Sequence, residues 1–141
     1  MVFDLDTAPA RHTQFMAWYE EQTKWSEGHR YNDPAVSATS LRAWFIDIIE
    51  SFPPLNGPLS KDNLPEDEAS ATDYSVGQSV IYCAFAWSKA QVAYGTVFKL
   101  AEKHGIGFFD VSSGNEEVWL PSNGRLKIAH SNNLDLSPHR R

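Results

Sequence analysis

Apolar positions along this chain recur with two different periods, and the switches between them outline the elements. Val2 to Asp6 alternates apolar and acidic residues, the pattern of a half-buried strand. Thr7 or Asp6 is placed to cap a following helix, with Pro9 tolerated in its first turn. Phe15, Trp18, Tyr19, Gln22 and Trp25 then fall at helical spacing, with Glu20, Glu21 and Lys24 opposite. The clearest amphipathic stripe is Leu41, Trp44, Phe45, Ile48, Ile49 and Phe52; it predicts a second helix from about Ser37–Ser40, stopped by Pro53 and Pro54.

The next stretch reads as strand, helix, strand. Ser79 to Trp87 is rich in β-branched and aromatic residues and too short to span a membrane, which predicts a buried strand. Ser88 and Gln91 have the spacing of a capping box. Ala90, Ala93, Tyr94, Val97, Leu100, Ala101 and His104 continue as a helical stripe that Gly105 can end in a left-handed cap. Ile106 to Val111 is a second apolar strand, so the unit predicts a right-handed parallel crossover between neighbouring strands. Ser113-Gly114-Asn115 and Ser122-Asn123-Gly124 then predict hairpin turns joining Phe108–Ser112, Glu116–Leu120 and Arg125–His130.

The order β-α-α-β-α-β-β, with one further strand, predicts an α+β two-layer sandwich: a mixed, mostly antiparallel sheet with helices packed on one face. Residues 1–130 are expected to form one domain, with 131–141 a flexible polar tail. Leu55 to Val76 reads as a long loop, and a connection of that length inside a compact domain is commonly functional.

Composition changes the picture in three ways. A hydrophobic content of 42% suits a folded globule rather than a disordered chain. The single Cys83 cannot form an internal disulfide, and neither a signal sequence nor a membrane-length apolar run is evident, so a cytoplasmic protein without membrane contact is expected. The net charge of −6 is uneven: residues 1–124 carry eight Lys/Arg against seventeen Asp/Glu, and the last seventeen residues carry four against one. An acidic body disfavours nucleic acid and attracts basic partners.

Motif chemistry is sparse. The five histidines are scattered without metal-ligand spacing, and there is no phosphate loop, nucleophile elbow or dinucleotide fingerprint, so neither metal nor cofactor is expected. His104, beside Gly105, suits the last turn of a helix. Two groups stand out. Glu27, His29, Tyr31 and Asp33, framed by Trp25, could orient a histidine base in a small hydrolase; the same residues also suit a self-packed loop or an interface of aromatics and carboxylates. Asp62, Glu66, Asp67, Glu68 and Asp73 form an acidic cluster on the long loop, either merely solvated or a surface for a basic partner. A small-ligand domain, with Trp18, Trp44 or Trp87 lining a cavity, is a third possibility.

The stretches FDLD, AWYEEQTKWSEGHRYNDP, LRAWFIDIIESFPPLNGP, DYSVGQSVIYCAFAWSKA and KHGIGFFDVSS resemble a set of small bacterial proteins similar in layout to the immunity proteins of polymorphic or contact-dependent toxin systems. The resemblance covers about residues 2–121 and carries no catalytic signature. It implies a non-enzymatic inhibitor that binds a co-encoded toxin in the cytoplasm. It assigns no site residue, because immunity surfaces diverge with their toxins.

Overall fold

The computed structural model describes residues 1–60 and 67–135. Seven strands form one sheet: β1 Val2–Phe3, β2 Asp73–Val76, β3 Val80–Ala84, β4 Gly107–Asp110, β5 Glu117–Ser122, β6 Arg125–Ser131 and β7 Leu134–Asp135. Three helices accompany them: α1 His12–Gln22, α2 Thr39–Ile48 and α3 Ala90–His104. The spatial strand order is β2-β3-β1-β4-β5-β6-β7, every ladder antiparallel. The α+β sandwich class is therefore as expected, and among the described residues the one parallel pairing is an isolated bridge between Pro54 and Thr72.

The β3-α3-β4 crossover is split. β3 and β4 run parallel, as expected of a long connection, but they are not neighbours, because β1 lies between them and pairs antiparallel with both. Val2 and Phe3 are both fully buried, and they point to opposite faces. Val2 joins Leu41, Trp44, Phe45, Ile48, Val97 and Ile81 under α2 and α3. Phe3 joins Phe15, Val80, Phe109 and Val118 under α1. Two helices thus share one face and α1 covers the other, where the sequence pattern places all three on one side. The alternation of β1 cannot distinguish these cases, since its acidic positions begin only where the strand has already ended.

α2 and α3 are held by more than apolar contact. Trp44 Nε1 donates to the carbonyl of Val97 at 3.4 Å, and Asp47 Oδ2 receives both Lys103 Nζ (2.7 Å) and His104 Nε2 (2.9 Å). Gly105 ends α3 with φ +65°, and Ile106 N reaches back to Ala101 O at 3.1 Å, a left-handed cap as the sequence implies. Asn123 and Gly124 turn β5 into β6 with φ of +54° and +78°, both left-handed, which matches the twist a two-residue hairpin needs.

Several boundaries differ from the sequence reading. α1 starts at His12 after Arg11, without a side-chain cap; Thr7 Oγ1 instead closes a turn on the Asp4 carbonyl. Ser88 does not cap α3: it lies inside a 3-10 turn over Trp87–Lys89, and Lys89 occupies the cap position without capping the helix through its side chain. Asp73–Val76 is a strand rather than loop, its Tyr74 and Val76 buried. Ser131 ends β6 and Leu134–Asp135 pair with it, where a flexible end is expected from 131. Among the described residues no helix is long and apolar enough to cross a membrane.

Candidate functional site

The loop after α1 folds onto the β2–β3 turn. His29 Nδ1 donates to the Arg30 carbonyl at 2.9 Å, and its Nε2 donates to Glu27 Oε1. That same carboxylate oxygen accepts from the backbone of Gln78 at 3.1 Å, and Gly77 packs so close that an added Cβ would stand 3.3 Å from Glu27 Oε2. Tyr31 accepts at its hydroxyl from Glu27 N, and its carbonyl accepts from Val76 N at 2.9 Å. Asp33 caps a short 3-10 turn by accepting from Ala35 N at 2.9 Å. Trp25, held at φ +53°, packs edge-on against Tyr31 with centroids 5.2 Å apart.

Trp25, Glu27, His29 and Tyr31 are therefore brought together, as a latch, while Asp33 serves only the turn that follows. Both His29 nitrogens face acceptors, and the Arg30 carbonyl, then the Glu27 carboxylate, raise its pKa above the ordinary histidine value. A ring donating from both nitrogens has no lone pair to take a substrate proton. The latch has a clear structural use. Tyr31 O covers the outer edge of β2 at Val76, and Pro53 and Leu55 pair with Thr72 just before the strand, so both ends of that edge are covered.

The acidic cluster is divided. Asp62 and Glu66 lie outside the described residues. Asp67 pairs with Lys89, which lowers its pKa, and Glu68 is exposed on the 3-10 turn that follows. Asp73 is exposed at the start of β2, opposite Ala84. A shallow depression next to it is lined by Trp25, Tyr19 and Tyr82, so Trp25 and Asp73, assigned to different groups from the sequence, border one surface.

The most conspicuous surface was not legible as such. Trp87 is 95% exposed, because β3 ends at Ala84 and the chain leaves the sheet before reaching it. Phe85, two residues before it, and Ala90, three after it, line a cleft of about 320 Å³ at the C-terminal ends of β3 and β4, which Trp87 itself does not line. Tyr94, Val97, Phe108 and Asp110 complete most of the wall. Burial pushes the Cys83 thiol in this cleft up to about 12, so it is a neutral wall group and a poor nucleophile. Trp18 and Trp44 belong to the core instead. Since Lys89 holds Asp67, and Asp73 pairs with Ala84, the acidic residues and Trp87 share one end of the sheet.

A second feature that the sequence does not show joins residues 118 positions apart. His12 Nδ1 and His130 Nδ1 lie 2.7 Å apart, both rings buried, and His12 Nε2 meets Glu116 Oε1 at 2.8 Å. One Nδ1 must donate and the other accept, so this contact holds one proton. It ties α1 to β6 and to the turn before β5, where Glu116 adopts φ +54°. Among the described residues, no group of three or more His, Cys, Asp or Glu could hold a metal ion. Comparison with family models, with curated proteins and with solved structures finds no match.

Proposed function

We propose that the chain is a non-enzymatic protein-binding module of the immunity type, acting in the cytoplasm on a toxin encoded beside it, with Trp87 as its anchor. The observation that carries this reading is the almost complete exposure of Trp87. A tryptophan left in water forgoes the burial that normally stabilises it, and tryptophan is the residue most enriched among the few that dominate binding energy. Asp67, Glu68 and Asp73 surround this end with negative charge, which steers a basic partner and speeds encounter. The engagement of both His29 nitrogens supports a latch rather than a base, and favours binding over the hydrolase alternative.

The test is co-expression with the neighbouring toxin-like reading frame, followed by capture of the complex. The wild-type chain should protect cells and co-purify with the toxin, and Trp87→Ala should do neither while melting normally. Protection that survives Trp87→Ala, or a hydrolytic activity lost in His29→Ala, would sink the reading.

A further inference from the structure

We propose that the depression beside Trp25 is a binding site for an arginine side chain of the partner protein. This rests on the protein-binding reading above and names what the partner brings to that surface.

The site exists because the β2–β3 ladder runs out from under α1. Asp73 pairs with Ala84 and Ser75 with Tyr82, so these four side chains share one face, the face on which Val80 packs with Phe15 of α1. Beyond Val80 the cover thins: Ser75 and Tyr82 are half-buried, and Asp73 and Ala84 are exposed. α1 ends at Gln22, and Thr23 and Trp25 follow it as the far wall. The small side chains of Ser75 and Ala84 leave a depression of about 330 Å³ bordered by Tyr19, Tyr82 and Trp25.

The walls select a cation. The Trp25 and Tyr82 rings stand nearly perpendicular, at 84°, with centroids 6.4 Å apart. Burial, then the neighbouring Tyr82 phenol, holds the Tyr19 pKa above its ordinary value, so Tyr19 stays a neutral phenol. Three aromatic rings thus border the space, and the negative face of each attracts positive charge. Asp73 adds a carboxylate, and among the described residues no group pairs with it.

Hydrogen bonding narrows the cation to a guanidinium. Asp73, Ser75 and Thr23 all offer oxygens that accept, and Thr23 Oγ1 already donates its own proton to the Tyr19 carbonyl at 2.9 Å. A quaternary ammonium has no N–H for these oxygens and would cover them without a partner. A guanidinium carries five N–H groups on a flat frame, so it can donate in a pair to Asp73 while it stacks on a ring. A primary ammonium is a point charge and cannot do both.

Size and position favour a side chain of a protein over a free ligand. The volume is at the small end of ligand pockets and suits the head of one residue. Trp87 follows Ala84 by three residues, so their Cα atoms are at most about 11 Å apart. One partner surface of ordinary size covers both the tryptophan and the depression.

Titration of the full, isotope-labelled chain with N-acetylarginine amide, followed by amide and indole NMR shifts, tests the site. Saturable shifts should centre on Trp25, Asp73, Ser75 and Tyr82. The neutral isostere N-acetylcitrulline amide should bind at least about tenfold more weakly, and so should the arginine probe against Asp73→Asn, because the charge-assisted pair is lost. Choline should also bind more weakly than the arginine probe. On the toxin, Asp73→Asn should speed dissociation by at least about tenfold. The NMR spectrum of the variant itself shows that it is folded. Citrulline binding as tightly as arginine, choline binding more tightly, shifts centred elsewhere, or no saturable shift would each overturn the proposal. An unchanged dissociation rate from the toxin would overturn it too. If toxin capture still depends on Trp87 while these results fail, the arginine site falls and the binding function stands.

Discussion

Lys89 and Asp67 form an ion pair that fastens the acidic segment alongside the 3-10 turn bearing Trp87. Both side chains are partly exposed, at 31% and 54%, and pairs of that kind add little to stability. Its use is positional. Lys89→Ala should therefore leave the thermal midpoint within experimental error. It should change the association rate with a basic partner, and stopped-flow mixing at two ionic strengths reads that out. Equal rates at low salt would detach Asp67 and Glu68 from the interface.

Gly107 sits in β4 directly against the Phe3 ring. A Cβ built there would come within 2.2 Å of Phe3 Cζ, and Phe3 is fully buried between α1 and the sheet. Gly107→Ala should therefore destabilise the fold by about 1–3 kcal/mol through overpacking, seen as a lower urea midpoint at unchanged slope. A neutral result would place the Phe3 ring elsewhere.

His130→Ala removes the Nδ1 contact with His12 and leaves a void beside Phe15, whose ring centroid lies 5.6 Å from that of His130. The expected loss is about 1–3 kcal/mol in denaturant melts, the usual cost of stripping a partner from a buried polar group. A variant as stable as wild type would show that the α1–β6 tie contributes nothing.

His29 gives the latch a pH signature. Its pKa is raised in the folded state by the Arg30 carbonyl and the Glu27 carboxylate, so its contribution is fully present below the unfolded value of about 6.5. That contribution is lost as pH rises through the higher folded value. The stability difference between wild type and His29→Gln should thus be largest in mild acid and shrink above neutrality. A difference that grows with pH would mean the imidazolium is not the form held by the loop.

What the sequence reveals and what it hides have separate physical origins. The stripe from Leu41 to Phe52, the glycine stop at Gly105 and the Asn123-Gly124 turn are local signals, and each is seen where its chemistry predicts. Ser88 carries a correct local pattern that tertiary structure overrides, because the chain enters α3 through a 3-10 turn and the cap position falls to Lys89. β2 hides behind Asp73 and Ser75, although the burial of Tyr74 and Val76 gives it the period of two. The placement of β1 between β3 and β4, and the meeting of His12 with His130, depend on contacts more than seventy residues apart that no window of sequence contains.

The candidate site divides the same way. Composition marks Glu27, His29 and Tyr31 as a polar group, and they do converge, but only geometry shows both imidazole nitrogens already engaged. Trp87 reads as the last residue of a buried strand because its β-propensity matches its neighbours. Its exposure follows from where the ladder with β2 ends, at Ala84, and that register is set by pairing across strands.

The central claim is that Trp87 anchors a protein partner. Isothermal titration of the purified chain with an inactivated form of the toxin proposed as its partner measures this directly, using wild type, Trp87→Ala and His29→Gln. The account predicts that Trp87→Ala weakens binding by at least about 30-fold, the equivalent of about 2 kcal/mol, while His29→Gln binds as wild type does. Affinity for Trp87→Ala within twofold of wild type would contradict it.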